Sequence, residues 1–118
     1  MNCQGGYCDN VSLRCCTGAG SPTGSPVSTP FFSEEGAASQ MCPGDRFVTG
    51  IQCQGSYCDD MSLSCSQTNH AKGTCSWTPN FSEEWPEHAD CPAGSAVAGA
   101  RCQGDHCDNV SLYCCQLQ

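Results

Sequence analysis

Three copies of one short pattern place the same polar side chains at the same spacing along this chain. The pattern is Cys-Gln-Gly-x-x-Cys-Asp-x-x-Ser-Leu-x-Cys, and its copies begin at Cys3, Cys53 and Cys102. Each copy supplies a glutamine, an aspartate and a following asparagine or aspartate, which are groups that donate and accept hydrogen bonds. Such amides and carboxylates suit the hydroxyl groups of sugars, so the pattern favours a shallow polar site in each copy.

A ring precedes the second cysteine of every copy. It belongs to Tyr7, Tyr57 and His106 in turn. A ring exposed at a hairpin tip offers a flat face for stacking on a sugar. Alternatively, the ring covers its neighbouring disulfide, while the aspartate forms a local turn and the glutamine satisfies backbone groups. The candidate ligand-binding residues are Gln4, Tyr7, Asp9, Asn10, Gln54, Tyr57, Asp59, Asp60, Gln103, His106, Asp108 and Asn109.

The same carboxylates allow a second chemistry. Asp9, Asp59 and Asp108 each lie three residues before a serine in a chain of net charge −8. Hard oxygen ligands of this type are those that calcium prefers. Calcium binding is therefore an alternative expectation for the repeated pattern, and no other cofactor is predicted.

Catalysis has little support in the sequence. The Glu34-Glu35 and Glu83-Glu84 pairs are adjacent, so their members would face opposite sides of a strand. Paired acid–base catalysis needs both carboxylates on one substrate. The three histidines have no repeated serine or aspartate partner at a recognisable spacing. We therefore expect a protein that is not an enzyme.

The charge of the chain disfavours two classes of partner. Lysine and arginine together number 4, and the calculated pI is about 4.4. Four cationic side chains cannot neutralise a run of phosphates, and nucleic acid is therefore not an expected partner. Anionic membrane surfaces are disfavoured for the same reason. No stretch approaches the roughly 18 apolar residues that a transmembrane helix needs.

Cysteine takes the place of a large apolar interior. Val, Ile, Leu and Phe supply few of the 118 residues, a composition that at high net charge is typical of disordered chains. The 14 cysteines instead indicate a disulfide scaffold in a secreted, oxidised protein. Each bridge contributes about 2–4 kcal/mol by restricting the unfolded chain. A reduced zinc protein, the alternative, usually has more closely spaced cysteine pairs than this pattern.

Spacing predicts five of the seven disulfides that 14 cysteines allow. Cysteines that flank one turn would close it, and outer cysteines would bridge strand ends. The predicted pairs are Cys3 with Cys8, Cys53 with Cys58, Cys102 with Cys107, Cys42 with Cys65, and Cys91 with Cys114. The remaining cysteines, which are Cys15, Cys16, Cys75 and Cys115, have no assigned partner.

Short strands must position these side chains. Residues 47–53 mix β-branched and aromatic types, and residues 97–102 are a weaker copy of them. Turn residues separate each of these segments from the next strand. No segment has a sustained helical period. We therefore predict an all-β, small disulfide-rich domain built from tandem β-hairpin repeats. Pseudo-threefold packing would bring Leu13, Leu63 and Leu112 together, with a linear stack as the alternative.

The chain is predicted to form a single domain over residues 1–118. Residues 1–16 would form a partial unit, and residues 31–65 and 81–115 would form two full units. Residues 17–30, which are rich in Gly, Ser, Thr and Pro, are interpreted as an extended linker, and residues 66–80 as a second linker.

The favoured function is non-catalytic, lectin-like binding of a glycan or cell-surface carbohydrate by a secreted module. Several weak sites would act together. One alternative is a defensive toxin or protease inhibitor that presents a loop made rigid by disulfides. Another is a structural repeat of an extracellular coat or matrix. An oligomer is compatible with each of these functions.

Overall fold

The protein is an all-β, disulfide-rich domain, as the sequence predicts. A computed structural model describes residues 2–4, 10–12, 23–33, 39–54, 60–82, 89–103 and 109–118, with side chains from residue 24 onward. These ranges contain strands and no helix. Accordingly, no helix in them is long and apolar enough to cross a membrane.

Nine strands lie within the described residues. They are β1 (Asn2–Gln4), β2 (Asn10–Ser12), β3 (Thr23–Ser28), β4 (Ser39–Met41), β5 (Arg46–Gln54), β6 (Asp60–Gln67), β7 (Lys72–Trp77), β8 (Ser95–Gln103) and β9 (Asn109–Leu117). They form antiparallel sheets of order β1-β2, β3-β6-β5 and β4-β8-β9-β7.

The β5–β6 and β8–β9 hairpins have the same register. Each pair of facing residues in the first recurs 49 residues later in the second, so that Ile51 opposite Leu63 corresponds to Ala100 opposite Leu112. Both ladders also shift register at the same place, just before a glycine. The two copies of the cysteine pattern therefore have the same strand pairing. Each residue of the β5–β6 hairpin has a counterpart 49 positions later in the β8–β9 hairpin.

The two stretches interpreted as linkers contain strands, so the loop interpretation was wrong for residues 23–28, whereas residues 17–22 lie outside the described residues. Strand β3 pairs with β6, and β7 pairs with β9. The side chains of residues 24–28 are exposed, and Pro26 is tolerated because β3 lies at a sheet edge. Backbone pairing alone forms this strand, which explains why no hydrophobic pattern predicted it.

The core lies between the two larger sheets and is built from alternate residues of β6 and β9. Residues two positions apart on a strand share one face, and on β6 this face contributes Met61, Leu63 and Cys65 to the main cluster. The prediction that Leu63 and Leu112 pack together is confirmed, because both belong to one buried cluster, whereas Leu13 lies outside the described residues. The cluster also contains Phe32, Met61, Cys65, Phe81, Val110 and Cys114.

The segment before each full hairpin is tied to it by matching hydrogen bonds. The Thr29 amide donates to the Leu63 carbonyl at 2.8 Å, and the Leu63 amide donates to Thr29 Oγ1 at 3.0 Å. Phe32 and Met61 exchange backbone bonds of 2.7 and 3.0 Å. The counterparts 49 residues later are Thr78, Leu112, Phe81 and Val110. These bonds hold a buried phenylalanine over the core at each hairpin.

Two predicted disulfides are confirmed. Cys42–Cys65 and Cys91–Cys114 have Cα–Cα distances of 5.7 and 5.5 Å, and each spans 23 positions. Cys53 and Cys102 are also disulfide-bonded. Their predicted partners Cys58 and Cys107 lie outside the described residues, as does Cys8 of the predicted Cys3–Cys8 pair.

A further bridge joins Cys75 to Cys115, two cysteines that spacing left unassigned. They face each other across β7 and β9, with Cα atoms 4.0 Å apart. Neighbouring residues of a strand point to opposite faces, so Cys114 and Cys115 serve two different bridges. In the other sheet, the counterpart of Cys115 is Ser66, whose hydroxyl lies 2.9 Å from Thr49 Oγ1.

Lys72, the one lysine of the chain, ties β7 to the turn after Cys42. Its Nζ donates to the Cys42 carbonyl at 2.6 Å, and its amide donates to Asp45 Oδ1 at 3.2 Å. Partial burial lowers the pKa of the Lys72 ammonium, and the Asp45 carboxylate offsets part of this effect.

We therefore expect Lys72 to titrate at a lower pH in the folded protein than in the unfolded chain. Between the two pKa values the unfolded chain binds more protons, so the free energy of unfolding should rise with pH across that window. An NMR titration of the Lys72 side-chain signals, in native and in urea-denatured protein, measures both midpoints. In Asp45→Asn the native midpoint should fall further. A native midpoint at or above the denatured one would contradict this account.

Candidate functional site

Each hairpin ends in a glutamine that faces an asparagine or aspartate. The three cross-strand pairs are Gln4–Asn10, Gln54–Asp60 and Gln103–Asn109. Gln54 and Gln103 are exposed, whereas Asp60 and Asn109 are half-buried. The structure thus brings half of the predicted site residues together in pairs, at the point where each hairpin leaves its sheet.

The other half of the predicted site lies outside the described residues. These residues are Tyr7, Asp9, Tyr57, Asp59, His106 and Asp108. The stacking role of the rings and the calcium-binding role of the aspartates therefore stay predictions. In the part of the chain that the structure describes, no group of three His, Cys, Asp or Glu side chains could hold a metal ion.

Asn80 joins the third hairpin end, although sequence reasoning did not select it. Its Nδ2 donates to Gln103 Oε1 at 2.7 Å, which leaves Nε2 of Gln103 as a donor for a ligand. Asn80 directly precedes the buried Phe81. The backbone hydrogen bonds between Phe81 and Val110 therefore also position Asn80. Its counterpart in the other unit is Phe31, which is 39% exposed.

A group of aromatic and cationic side chains lies on β7, β8 and β9. The ring centroids of Trp77 and Tyr113 are 4.9 Å apart at an angle of 46°. The Arg101 Cζ lies 4.5 Å from the Trp77 ring centroid. All three side chains are half-buried, so each still meets solvent. A cation–π contact of this kind contributes about 0.5–1 kcal/mol at an exposed site.

Met41 extends this group across the sheet. The register aligns Met41, Gly99, Tyr113 and Trp77 in one row over four strands, and facing residues share one side of a sheet. A Cβ on Gly99 would lie 2.8 Å from the Met41 Cγ, so the methionine side chain covers the glycine. Met41 is 48% exposed. We call Met41, Trp77, Arg101 and Tyr113 the Trp77 cluster.

Gln103 lies on the same side of β8 as Arg101, because the two residues are two positions apart. The Asn80–Gln103 pair therefore continues the surface of the Trp77 cluster toward the hairpin end. Along this surface, amide groups follow a guanidinium and two aromatic rings.

The other large sheet has the same backbone without the cluster. Ser28, Ser64 and Gln52 occupy the positions of Trp77, Tyr113 and Arg101, with the same cross-strand pairing. Since serine and glutamine support the same register, strand pairing does not require the aromatic and cationic side chains. Tyr113 also packs against the buried residues Phe47, Ala98 and Cys115. Alignment of the two units at β3 and β7 would have revealed these substitutions, but sequence reasoning treated both strands as linkers.

The cluster also carries an energetic cost. Within the described residues, the buried atoms Arg101 Nε and Ser111 Oγ have no hydrogen-bond partner, and the same holds for Arg46 Nε on β5. At the matching place in the other sheet, Ser62 Oγ donates to Gln52 Oε1 at 3.4 Å. An unsatisfied buried polar group costs about 1–3 kcal/mol. Positions that break a local rule in this way are expected at functional sites.

No protein-family model matches this chain, and comparison with curated proteins and with solved structures finds no match either. The side chains of the described residues are therefore the basis for assigning a function.

Proposed function

We propose that this protein is a secreted, non-catalytic module that binds carbohydrate on the face of the β4-β8-β9-β7 sheet that carries the Trp77 cluster. One observation carries the proposal: the Trp77 cluster occurs on one of two matching sheets, and the other sheet forms without it. Strand pairing does not need these side chains, so we attribute their presence to the binding of a ligand.

The chemistry of the cluster fits a sugar ring. The aromatic rings offer apolar faces for the C–H groups of a pyranose. The Arg101 guanidinium presents several N–H donors in a fixed plane, which suits hydroxyl or carboxylate oxygens. Gln103, held by Asn80, supplies a further amide on the same side of the sheet. The net charge of −8 disfavours heavily charged anionic glycans, so a neutral or weakly acidic glycan is the expected class.

The hairpin ends provide additional polar groups. The exposed Gln54 and Gln103 stand at equivalent places on two hairpins, each opposite an acidic or amide side chain. Individually weak contacts at separate hairpins strengthen binding when one branched or repeating glycan reaches several of them.

Disulfides support an extracellular location. The bridges Cys42–Cys65, Cys75–Cys115 and Cys91–Cys114 are of the kind that persists in oxidising compartments and is rare in a reducing cytosol. Glycans on cell surfaces are accessible to a protein in that location.

We expect Trp77→Ala to weaken glycan binding at least about tenfold, since that factor corresponds to about 1.4 kcal/mol of lost contact energy. The measurement is binding to a broad glycan panel with and without calcium, followed by titration of the best ligand. Ser28→Ala, at the matching position of the other sheet, is the control and should leave affinity unchanged.

Further outcomes distinguish the alternatives. Parallel losses from Tyr7→Ala and Tyr57→Ala would support binding at several hairpins, and a requirement for calcium would support a ligand role for the repeated aspartates. No binding across the panel would overturn the proposal. If substitution at one hairpin tip alone abolished activity and Trp77→Ala had no effect, the result would instead favour an inhibitor that presents one rigid loop.

A further inference from the structure

Strands β5 and β8 have equivalent places in their sheets, but their outer edges differ. On β8 the edge is covered by β4, with Gln40 facing Ala100 and Met41 facing Gly99. The Cys42 amide extends this pairing by donating to the Ala98 carbonyl at 2.7 Å. On β5, no described strand pairs with the corresponding edge.

The exposure of matching residues reflects this difference. Ala98 and Ala100 are at most 1% exposed, and Gly99 is buried. Their counterparts on β5 are Thr49, which is exposed, and Gly50 and Ile51, which are half-buried. The same stretch of strand is therefore sealed in one sheet and open to solvent in the other.

The open edge presents unpaired backbone groups. In an antiparallel ladder, hydrogen-bonded pairs alternate with non-bonded ones, so the Cys42–Ala98 bond places Gln40 and Ala100 in a bonded pair as well. Ile51 has the position of Ala100, so its N–H and C=O point outward from β5. No described residue bonds to them. Such an edge is a template for another strand.

We propose that the outer edge of β5 binds an extended peptide segment by strand addition, in the register that β4 uses on β8. The chemistry of the segment follows from β4, which is uncharged and reads Ser-Gln-Met. A large apolar residue would face Gly50, as Met41 faces Gly99, where the methionine side chain covers the position that a Cβ would take. Backbone hydrogen bonds supply affinity in this mode, and alternate side chains supply specificity.

The segment must come from a separate partner polypeptide rather than from β4 of a second copy. In every copy β4 is already paired with its own β8, and the Cys42–Cys65 bridge fixes the residue that follows it. If β4 of one copy moved to β5 of another, the β8 edge that it left would become exposed, so the number of open edges would not fall. A partner that carries a free segment of β4-like sequence has no such cost.

This site and the proposed carbohydrate surface have no residue in common, because the edge residues Thr49, Gly50 and Ile51 belong to β5 and the Trp77 cluster does not include them. The probe is a synthetic peptide of residues 37–44 with serine in place of Cys42, titrated to millimolar concentration. Amide hydrogen exchange followed by NMR reports each strand edge separately. The control peptide carries an N-methyl group on its glutamine, which removes the donor expected to face Ile51.

With the first peptide, exchange of the Ile51 amide should slow at least about tenfold, since an amide paired in a ladder exchanges only on local opening. The Ala100 amide should not change, and the methylated peptide should have no effect at Ile51. Unchanged Ile51 exchange at saturating peptide, or equal protection by both peptides, would overturn the proposal. Protection of Ile51 that rises with protein concentration alone would show pairing between copies instead, which also overturns it.

Discussion

Replacing Cys42 and Cys65 together by alanine is expected to lower the free energy of unfolding by at least about 3 kcal/mol. The bridge spans 23 positions, and closing a loop of that length removes about 3 kcal/mol of conformational freedom from the unfolded chain. Both cysteines are at most 4% exposed and belong to the main core, so loss of their sulfur atoms also leaves unfilled space. Guanidinium unfolding without reductant measures the change.

The Cys91–Cys114 bridge provides a matched second measurement. It has the same span and the same place in its hairpin, so the corresponding double alanine variant should lose the same free energy within about 1 kcal/mol. Ser76→Ala, at an exposed position of β7, is a control with an expected change within about 0.5 kcal/mol. A loss below about 1 kcal/mol for either double variant would show that these bridges add little to a core already stable without them.

Phe32→Ala is expected to cost about 3–5 kcal/mol, the usual range for a buried phenylalanine. Phe32 is 1% exposed, and its backbone is bonded in both directions to Met61. The adjacent Phe31 is 39% exposed, so Phe31→Ala should cost less than about 1 kcal/mol. The same unfolding experiment compares two identical side chains one position apart.

Phe81→Ala extends this comparison to the other hairpin, where the ring is again 1% exposed and its backbone is bonded to Val110. Its cost should match that of Phe32→Ala within about 1 kcal/mol, because both rings close the same cluster. Equal costs for Phe31→Ala and Phe32→Ala would mean that the core does not depend on the buried ring.

The sequence was sufficient for the features that repeat. Equal spacing of cysteines in two units predicted the Cys42–Cys65 and Cys91–Cys114 bridges, because cysteines at the outer ends of one hairpin meet when its strands pair. Leu63 and Leu112 have the same place in two units, and this repetition predicted that they share a core. Both cysteines of each bridge flank one hairpin, so local spacing determines that contact, whereas the leucines belong to two hairpins and meet because the units pack together.

Features that depend on strand order could not be predicted in this way. Strand β3 is polar and exposed at a sheet edge, so it has none of the hydrophobic alternation by which strands are recognised. Because β7 was also interpreted as a linker, Cys75 had no visible partner in Cys115. The contacts of Trp77 were missed for the same reason.

The sequence indicated some residues of the candidate site but not how they are arranged. Repetition selected Gln103 and Asn109, which the register places opposite each other, and their role in binding stays a prediction. It could not select Asn80 or Arg101, because neither residue recurs in the other unit. A site built from differences between repeats is invisible to reasoning that looks for what the repeats have in common.

The central claim is that disulfides stabilise this fold in place of a large apolar interior, and so hold the Trp77 cluster and the hairpin ends in position. Intact mass after alkylation in denaturant tests it most directly. Without reductant, we expect no alkylated cysteine, and with reductant we expect all 14 to be modified. Several cysteines alkylated before reduction, or zinc bound to the native protein, would contradict the claim.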